Sequence, residues 1–203
     1  MTDRHPYRAL LPAFFLGVAI VSGSHLANAQ EKGKRYLTSQ QRNLPKLYQL
    51  SLGKPWAEST AFFPSTIELA AKSRRPNQCG TDTFFTIQSD FLNDMPRGTL
   101  EDFFARIPQP SVTSLVRRLY YPKGEVFEKA APMRIKFANT EAYQGRYTIH
   151  FSNGKKYALR YYLTYQSGYM VHIAAYSLLQ DRDRASDCFK ELFESLTFIE
   201  VPI

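Results

Sequence analysis

The chain has 203 residues, a formal net charge of +8 and only two cysteines. One hydrophobic core with ordinary burial suffices at this length, so no second domain is required. The positive charge comes in scattered pairs such as Arg74–Arg75, Arg117–Arg118 and Lys155–Lys156. Scattering of that kind marks a solvated surface that favours acidic partners, and an exported chain rarely meets nucleic acid.

Residues 1–29 have the three parts of a cleavable signal peptide. Arg4 and Arg8 outweigh Asp3, an uncharged apolar run follows from Ala9 to Val21, and Ala27-Asn28-Ala29 supplies an A-x-A cleavage site. The apolar run is 13 residues long, whereas a membrane-spanning helix needs about 20. The expectation is cleavage after Ala29 and a periplasmic or secreted product. Because the two arginines and one acid leave together, the mature chain would carry +7. No later apolar run reaches spanning length, so the mature chain is expected to be soluble. Residues 30–43 read as a loose polar leader, and residues 44–203 as a single α+β domain.

Within that domain, residues 44–76 read as short helical pieces broken by Gly53, Pro55 and Pro64. Thr83–Gln88 (TFFTIQ) is an expected strand. Thr99 stands as an N-cap with Glu101 and Asp102 in the first turn, so a helix should run to Ile107, before Pro108. A second helix should open at Ser111 and bury Val112, Leu115, Val116, Leu119 and Tyr120, which share one face at helical spacing. Met133, Ile135 and Phe137 alternate with Arg134 and Lys136, as in a half-buried strand. Strands over 146–151, 155–165 and 169–177 follow. A last helix, about Asp183 to Ser195, should bury Ala185, Cys188, Phe189, Leu192 and Leu196. The fold class expected is α+β, with an antiparallel sheet of about five to six strands flanked by helices.

Cys79 and Cys188 form an isolated pair, which in an oxidising compartment is read as one disulfide. No C-x-x-C motif points to a redox site.

The loops predict the register of the sheet. A three-residue loop Ser152-Asn153-Gly154, with Gly154 left-handed, sets Ile149 against Tyr157 and Tyr147 against Leu159. A loop of the same form at Gln166-Ser167-Gly168 sets Tyr165 against Tyr169, Leu163 against Val171 and Tyr161 against Ile173. Every large apolar residue then lies on one face, and a one-residue slip would bury the wrong set. The other face carries Arg160, Tyr162, His172 and Tyr176 on neighbouring strands, the candidate binding face.

Tests for catalytic chemistry find little. The mature chain keeps only His150 and His172, which the predicted register holds roughly 22 Å apart, too far to share a metal ion. There is no G-x-S-x-G elbow. Asp181, Asp183 and Asp187 echo the start of a calcium loop, but Ser186 and Leu192 stand where that loop needs Gly and Glu. Helix capping and surface charge account for these acids. Neither a metal nor a cofactor is called for.

From residue 81 to 199 the order of elements is informative. The stretch GRYTIHFSNGKKYALRYYLTYQSGYMVHIAAYS, closed by CFKELFESLTFI, resembles the bacterial relatives of the PsbP photosystem proteins. The positions that carry the likeness are Gly145, Tyr157 to Leu159, and Phe189 with Ser195, Leu196 and Phe198. The resemblance implies an α/β sandwich around an antiparallel sheet and a non-enzymatic role in binding or assembling other proteins. It brings no catalytic residues. Residues 30–76 do not fit it, and the Cys79–Cys188 pair is not a mark of that family.

The expectation that follows is an exported accessory domain that binds a protein partner in the cell envelope. The alternatives are an exported hydrolase acting on an envelope component and a binder of anionic polymer or lipid headgroups.

Overall fold

Between Gly124 and Leu178 the chain is rich in β-branched and aromatic residues and is punctuated by turn residues at regular intervals. It folds there as four consecutive antiparallel strands: β6 (Gly124–Phe137), β7 (Thr140–Phe151), β8 (Lys156–Gln166) and β9 (Tyr169–Leu178). A computed structural model describes residues 35–36, 47–59, 69–95, 97–120 and 123–199. The segment read as a signal peptide, most of the polar leader and the stretch around Pro64 lie outside the described residues.

Three earlier strands complete the main sheet: β3 (Trp56–Glu58), β4 (Leu69–Ser73) and β5 (Phe84–Phe91). Its order is β3-β4-β5-β9-β8-β7-β6, antiparallel at every pairing. A small second sheet joins β1 (Arg35–Tyr36), β2 (Tyr48–Leu50) and β10 (Thr197–Phe198), so the first and last described strands share one sheet. The antiparallel α+β architecture is as expected, with seven strands in the main sheet. The region 44–76 is a correction: its described elements are short strands, not helices. Gly53 and Pro55 leave pieces too short to nucleate helices, and ladders between strands satisfy their backbone instead.

Helices cover both faces of the sheet. On one side lie α2 (Leu100–Arg106) and α3 (Gln109–Tyr120), whose Phe103, Phe104, Val112 and Val116 pack on Tyr147, Ile149, Leu159, Tyr161 and Leu163. Each fully buried side chain of this size stabilises the fold by about 1.5–3 kcal/mol. Thr99 caps α2 as expected: the Asp102 backbone N–H donates to Thr99 Oγ1 at 3.1 Å, and Thr99 N–H donates to Asp102 Oδ2 at 2.8 Å. The helix α3 starts at Gln109, two residues earlier than expected, and its Leu119 is 41% exposed rather than buried.

On the other side α4 (Arg182–Glu194) lays Ala185, Phe189 and Leu192 on Phe85, Ile87, Tyr162, Ile173 and Ala175. A single 3₁₀ turn, Leu179–Asp181, leads into it from β9. Cys188 of α4 is bonded to Cys79 at the end of α1 (Pro76–Cys79), with the Cα atoms 5.9 Å apart. Asp181 does not cap α4 through its side chain; it is buried, and its carboxylate is held by Arg184 instead.

The first hairpin has the expected register, with Ile149 opposite Tyr157 and Tyr147 opposite Leu159. Gly154 supplies the left-handed residue, φ +79°, and donates its N–H to the Phe151 carbonyl.

The second hairpin is a correction. Its loop has two residues, Ser167 (φ +47°) and Gly168 (φ +88°), the left-handed pair of a type I′ turn. Gln166 therefore opposes Tyr169, Leu163 opposes His172, and Tyr162 opposes Ile173. The slip is tolerated because both faces are roofed by helices. Val171, Ile173 and Ala175 are buried under α4, while His172 and Ala174 are buried on the other side. The edge strand β6 also departs from simple alternation. Its register shifts between Glu128, Ala130 and Met133, and Met133 is 57% exposed while Phe137 is buried.

Candidate functional site

The slipped register divides the expected binding face. Arg160 and Tyr162 point to the α4 side, as does Ala175 opposite Arg160, whereas His172 and Tyr176 alternate to the α2/α3 side. The four residues do not form one surface.

Two of them are core residues. Tyr162 is 3% exposed and stacks on Phe137, ring centroids 4.1 Å apart at 17°. Gln144 Nε2 donates to its hydroxyl at 3.0 Å. Burial raises the Tyr162 pKa, against the pull of the Arg160 and Arg146 guanidinium groups.

His172 is 4% exposed. Its Nδ1 meets the Tyr161 hydroxyl, and its Nε2 lies 2.9 Å from Asp90 Oδ2. That second contact is close but off the N–H axis, so Nε2 has an ionic neighbour without a well-aligned hydrogen bond. The close approach of His172 holds the Asp90 carboxyl below its usual range, while burial opposes the shift. Burial drives the Tyr161 pKa well up, so the hydroxyl keeps its proton. Tyr176 is half-buried and stacks on Phe84 at 5.4 Å. His150 pairs with Lys156 as expected, and its ring lies 4.5 Å from that of Phe127. Among the described residues no three His, Cys, Asp or Glu side chains converge as metal ligands.

Arg160 belongs to a different constellation. The N-terminal half of α4 leaves part of β7 and β8 unroofed, and an open cleft of about 790 Å³ lies there. Lys129, Arg146 and Arg160 line it from three neighbouring strands, and Arg182 stands at the α4 end. Leu179 and Phe189 supply an apolar wall. Arg146 and Arg160 are direct cross-strand partners, an arrangement of like charges that destabilises a sheet when nothing sits between them.

The ion pairs of the region leave this positive charge in place. Arg182 donates to Asp183 at 2.9 Å, and Arg160 Nη2 donates to the neutral Ser186 Oγ at 3.2 Å. Among the described residues Lys129, Arg146 and Arg160 have no carboxylate partner, unlike Lys155 on Asp82 or Arg134 between Glu101 and Glu141. The cleft can therefore accept negative charge without first breaking an internal pair.

Arg146 was within reach of sequence reasoning: in the three-residue loop register it falls opposite Arg160. Lys129 was not, because the irregular pairing of β6 around residues 128–130 hides which way its side chain turns.

No protein-family model matches the sequence, and no curated protein matches it. Solved structures do match. The chain superposes on the solution structure of cyanobacterial PsbP (CyanoP) from Synechocystis sp. PCC 6803 with a TM-score of 0.53 at 9% identity, covering 89% of this chain and 99% of that one. The fold is PsbP-like. LpqN, described as involved in cell envelope biogenesis of Mycobacterium tuberculosis, matches with a TM-score of 0.51 at 11% identity over 81% of this chain and 90% of that one. The PsbP-like fold places the cleft between α4 and the β6–β8 half of the sheet. No helix among the described residues is long and apolar enough to cross a membrane.

Proposed function

We propose that this PsbP-like domain is an extracytoplasmic, non-catalytic accessory protein that binds a protein partner of the cell envelope. The observation that carries the reading is the cleft beside α4, a preformed open surface on which Lys129, Arg146 and Arg160 have no counter-charge among the described residues. Such a surface favours encounter with a partner of opposite charge and fixes its orientation. The location is supported by the Cys79–Cys188 disulfide, a bond that persists in oxidising compartments. The envelope role stated for LpqN is in keeping with it.

The test is an amine-reactive cross-linking pull-down from native envelope at low and high salt, with cross-links mapped by mass spectrometry. Recovery of a discrete protein cross-linked at Lys129 is the expected outcome. Recovery of polyanions or lipid alone, lost at high salt, would replace the reading with headgroup or polymer binding. If nothing were recovered, the reading would fall and an activity screen would follow.

A further inference from the structure

The cations of the cleft are not gathered at a point. Lys129 lies on β6, Arg146 on β7 and Arg160 on β8, with Arg146 and Arg160 in direct register and Lys129 beside the bulge that precedes Ala130. Neighbouring strands are about 4.8 Å apart, so the three form a ladder about 10 Å long across the sheet. At the α4 end the ladder gives way to Leu179 and Phe189, with Arg182 already neutralised by Asp183.

A single phosphate needs converging donors, which a ladder does not provide. A chain of carboxylates fits it better: acidic side chains four apart on a helix are about 5–6 Å apart, and those two apart on a strand about 6.6 Å. The long edge strand β6 offers no competing mode of docking, because Pro132, the charged Glu128 and Lys129 and two register shifts obstruct addition of a further strand.

We infer that the Lys129–Arg146–Arg160 ladder anchors an acidic peptide segment of the partner protein, with its carboxylates over β6–β8 and an apolar side chain against Leu179 and Phe189. The inference rests on the binding-domain reading and specifies its recognition chemistry. Arg146 and Arg160 act as the clamp, since a bound carboxylate between them removes the repulsion of the unliganded pair.

The test uses the mature chain and a fluorescein-labelled peptide of alternating Glu and Leu, read by anisotropy at low salt. The variant Arg146→Gln/Arg160→Gln is compared with Arg117→Gln/Arg118→Gln, which removes the same charge from α3 on the other side of the sheet. The cleft variant should bind about tenfold more weakly, and the α3 variant within about twofold of the parent. Arg146→Gln alone, at an exposed position, keeps the test valid should the double variant melt early in circular dichroism.

Equal losses in both double variants, or no binding of the peptide to the parent, would overturn the inference. So would displacement of the peptide by inorganic phosphate or by phosphatidylglycerol vesicles at concentrations below its own. The two readings fail separately. If the cleft variant captures the same cross-linked envelope protein as the parent, the ladder is wrong and the binding domain stands. If the parent captures none, the binding domain itself is wrong.

Discussion

The two faces of the seven-stranded sheet treat their polar residues in opposite ways. On the α2/α3 side His172 is sealed under the roof, with Tyr161 on one ring nitrogen and Asp90 beside the other. On the α4 side Arg146 and Arg160 oppose each other in an open cleft, and neither has an acid of its own among the described residues. The difference follows from coverage. Ser186 of α4 reaches Arg160 on β8, while Arg146 on β7 is exposed beyond it. A polar group beneath a roof must find a partner within the fold, at a cost of about 1–3 kcal/mol if it does not. A polar group beyond the roof is free to meet one from outside.

Three substitutions break or sharpen that contrast. The largest effect is expected from Tyr162→Ala, because Tyr162 lies under the roof although its neighbour Arg160 does not. Loss of the ring stacked on Phe137 should cost about 3–5 kcal/mol in urea unfolding. A cost below about 1 kcal/mol would put Tyr162 on the open surface after all.

The second concerns acid. The folded-state pKa of Asp90 is depressed, chiefly by the close approach of His172. Its contribution is therefore present above the unfolded value near 4 and is lost as pH falls through the lower folded value. Since the Asp90 side chain is 44% exposed, solvent screening keeps the effect under about 1 kcal/mol. In Asp90→Asn the stability curve should be flatter below about pH 4. Superimposable acid limbs in parent and variant would mean that the sealed network is not formed in solution.

The smallest effect is expected for Arg146→Gln. Relief of like charge should leave stability unchanged or raise it by up to about 0.5 kcal/mol at low salt, with the gain vanishing as salt is added. A loss above about 1 kcal/mol would show that Arg146 supports the fold rather than the cleft.

The same contrast explains what could be read from the amino acids alone. The Ser152–Gly154 hairpin was legible because its glycine and its flanking aromatics agree on one register. The Ser167–Gly168 hairpin was not, because with both faces roofed, apolar content no longer distinguishes one register from its neighbour. That single slip moved His172 and Tyr176 away from Arg160 and Tyr162, and with them half of the expected binding face. The capping box at Thr99 and the stripe of α4 are local signals and could be seen directly. The strands between Tyr48 and Ser73 were opaque for the converse reason: they are three to five residues long, too short to show a period, and one of them, β2, pairs with a strand at the far end of the described chain. The disulfide needed only compartment and parity.

The small sheet has a further consequence, for the order of events during biosynthesis. The strand β10 pairs Thr197 with Gln49, and Asn139 at the β6–β7 turn clasps it from the side, donating to the Phe198 carbonyl at 2.9 Å and accepting from the Phe198 N–H at 2.7 Å. All the chain from β2 through β10 must emerge before this clasp can close. Until then β2, whose Tyr48 and Leu50 are sealed in the finished molecule, pairs with β1 alone, and the edge that β10 covers stays open. A nascent chain halted anywhere upstream of β10 therefore presents a sticky, unfinished seam, the sort of surface that holding chaperones are built to shield.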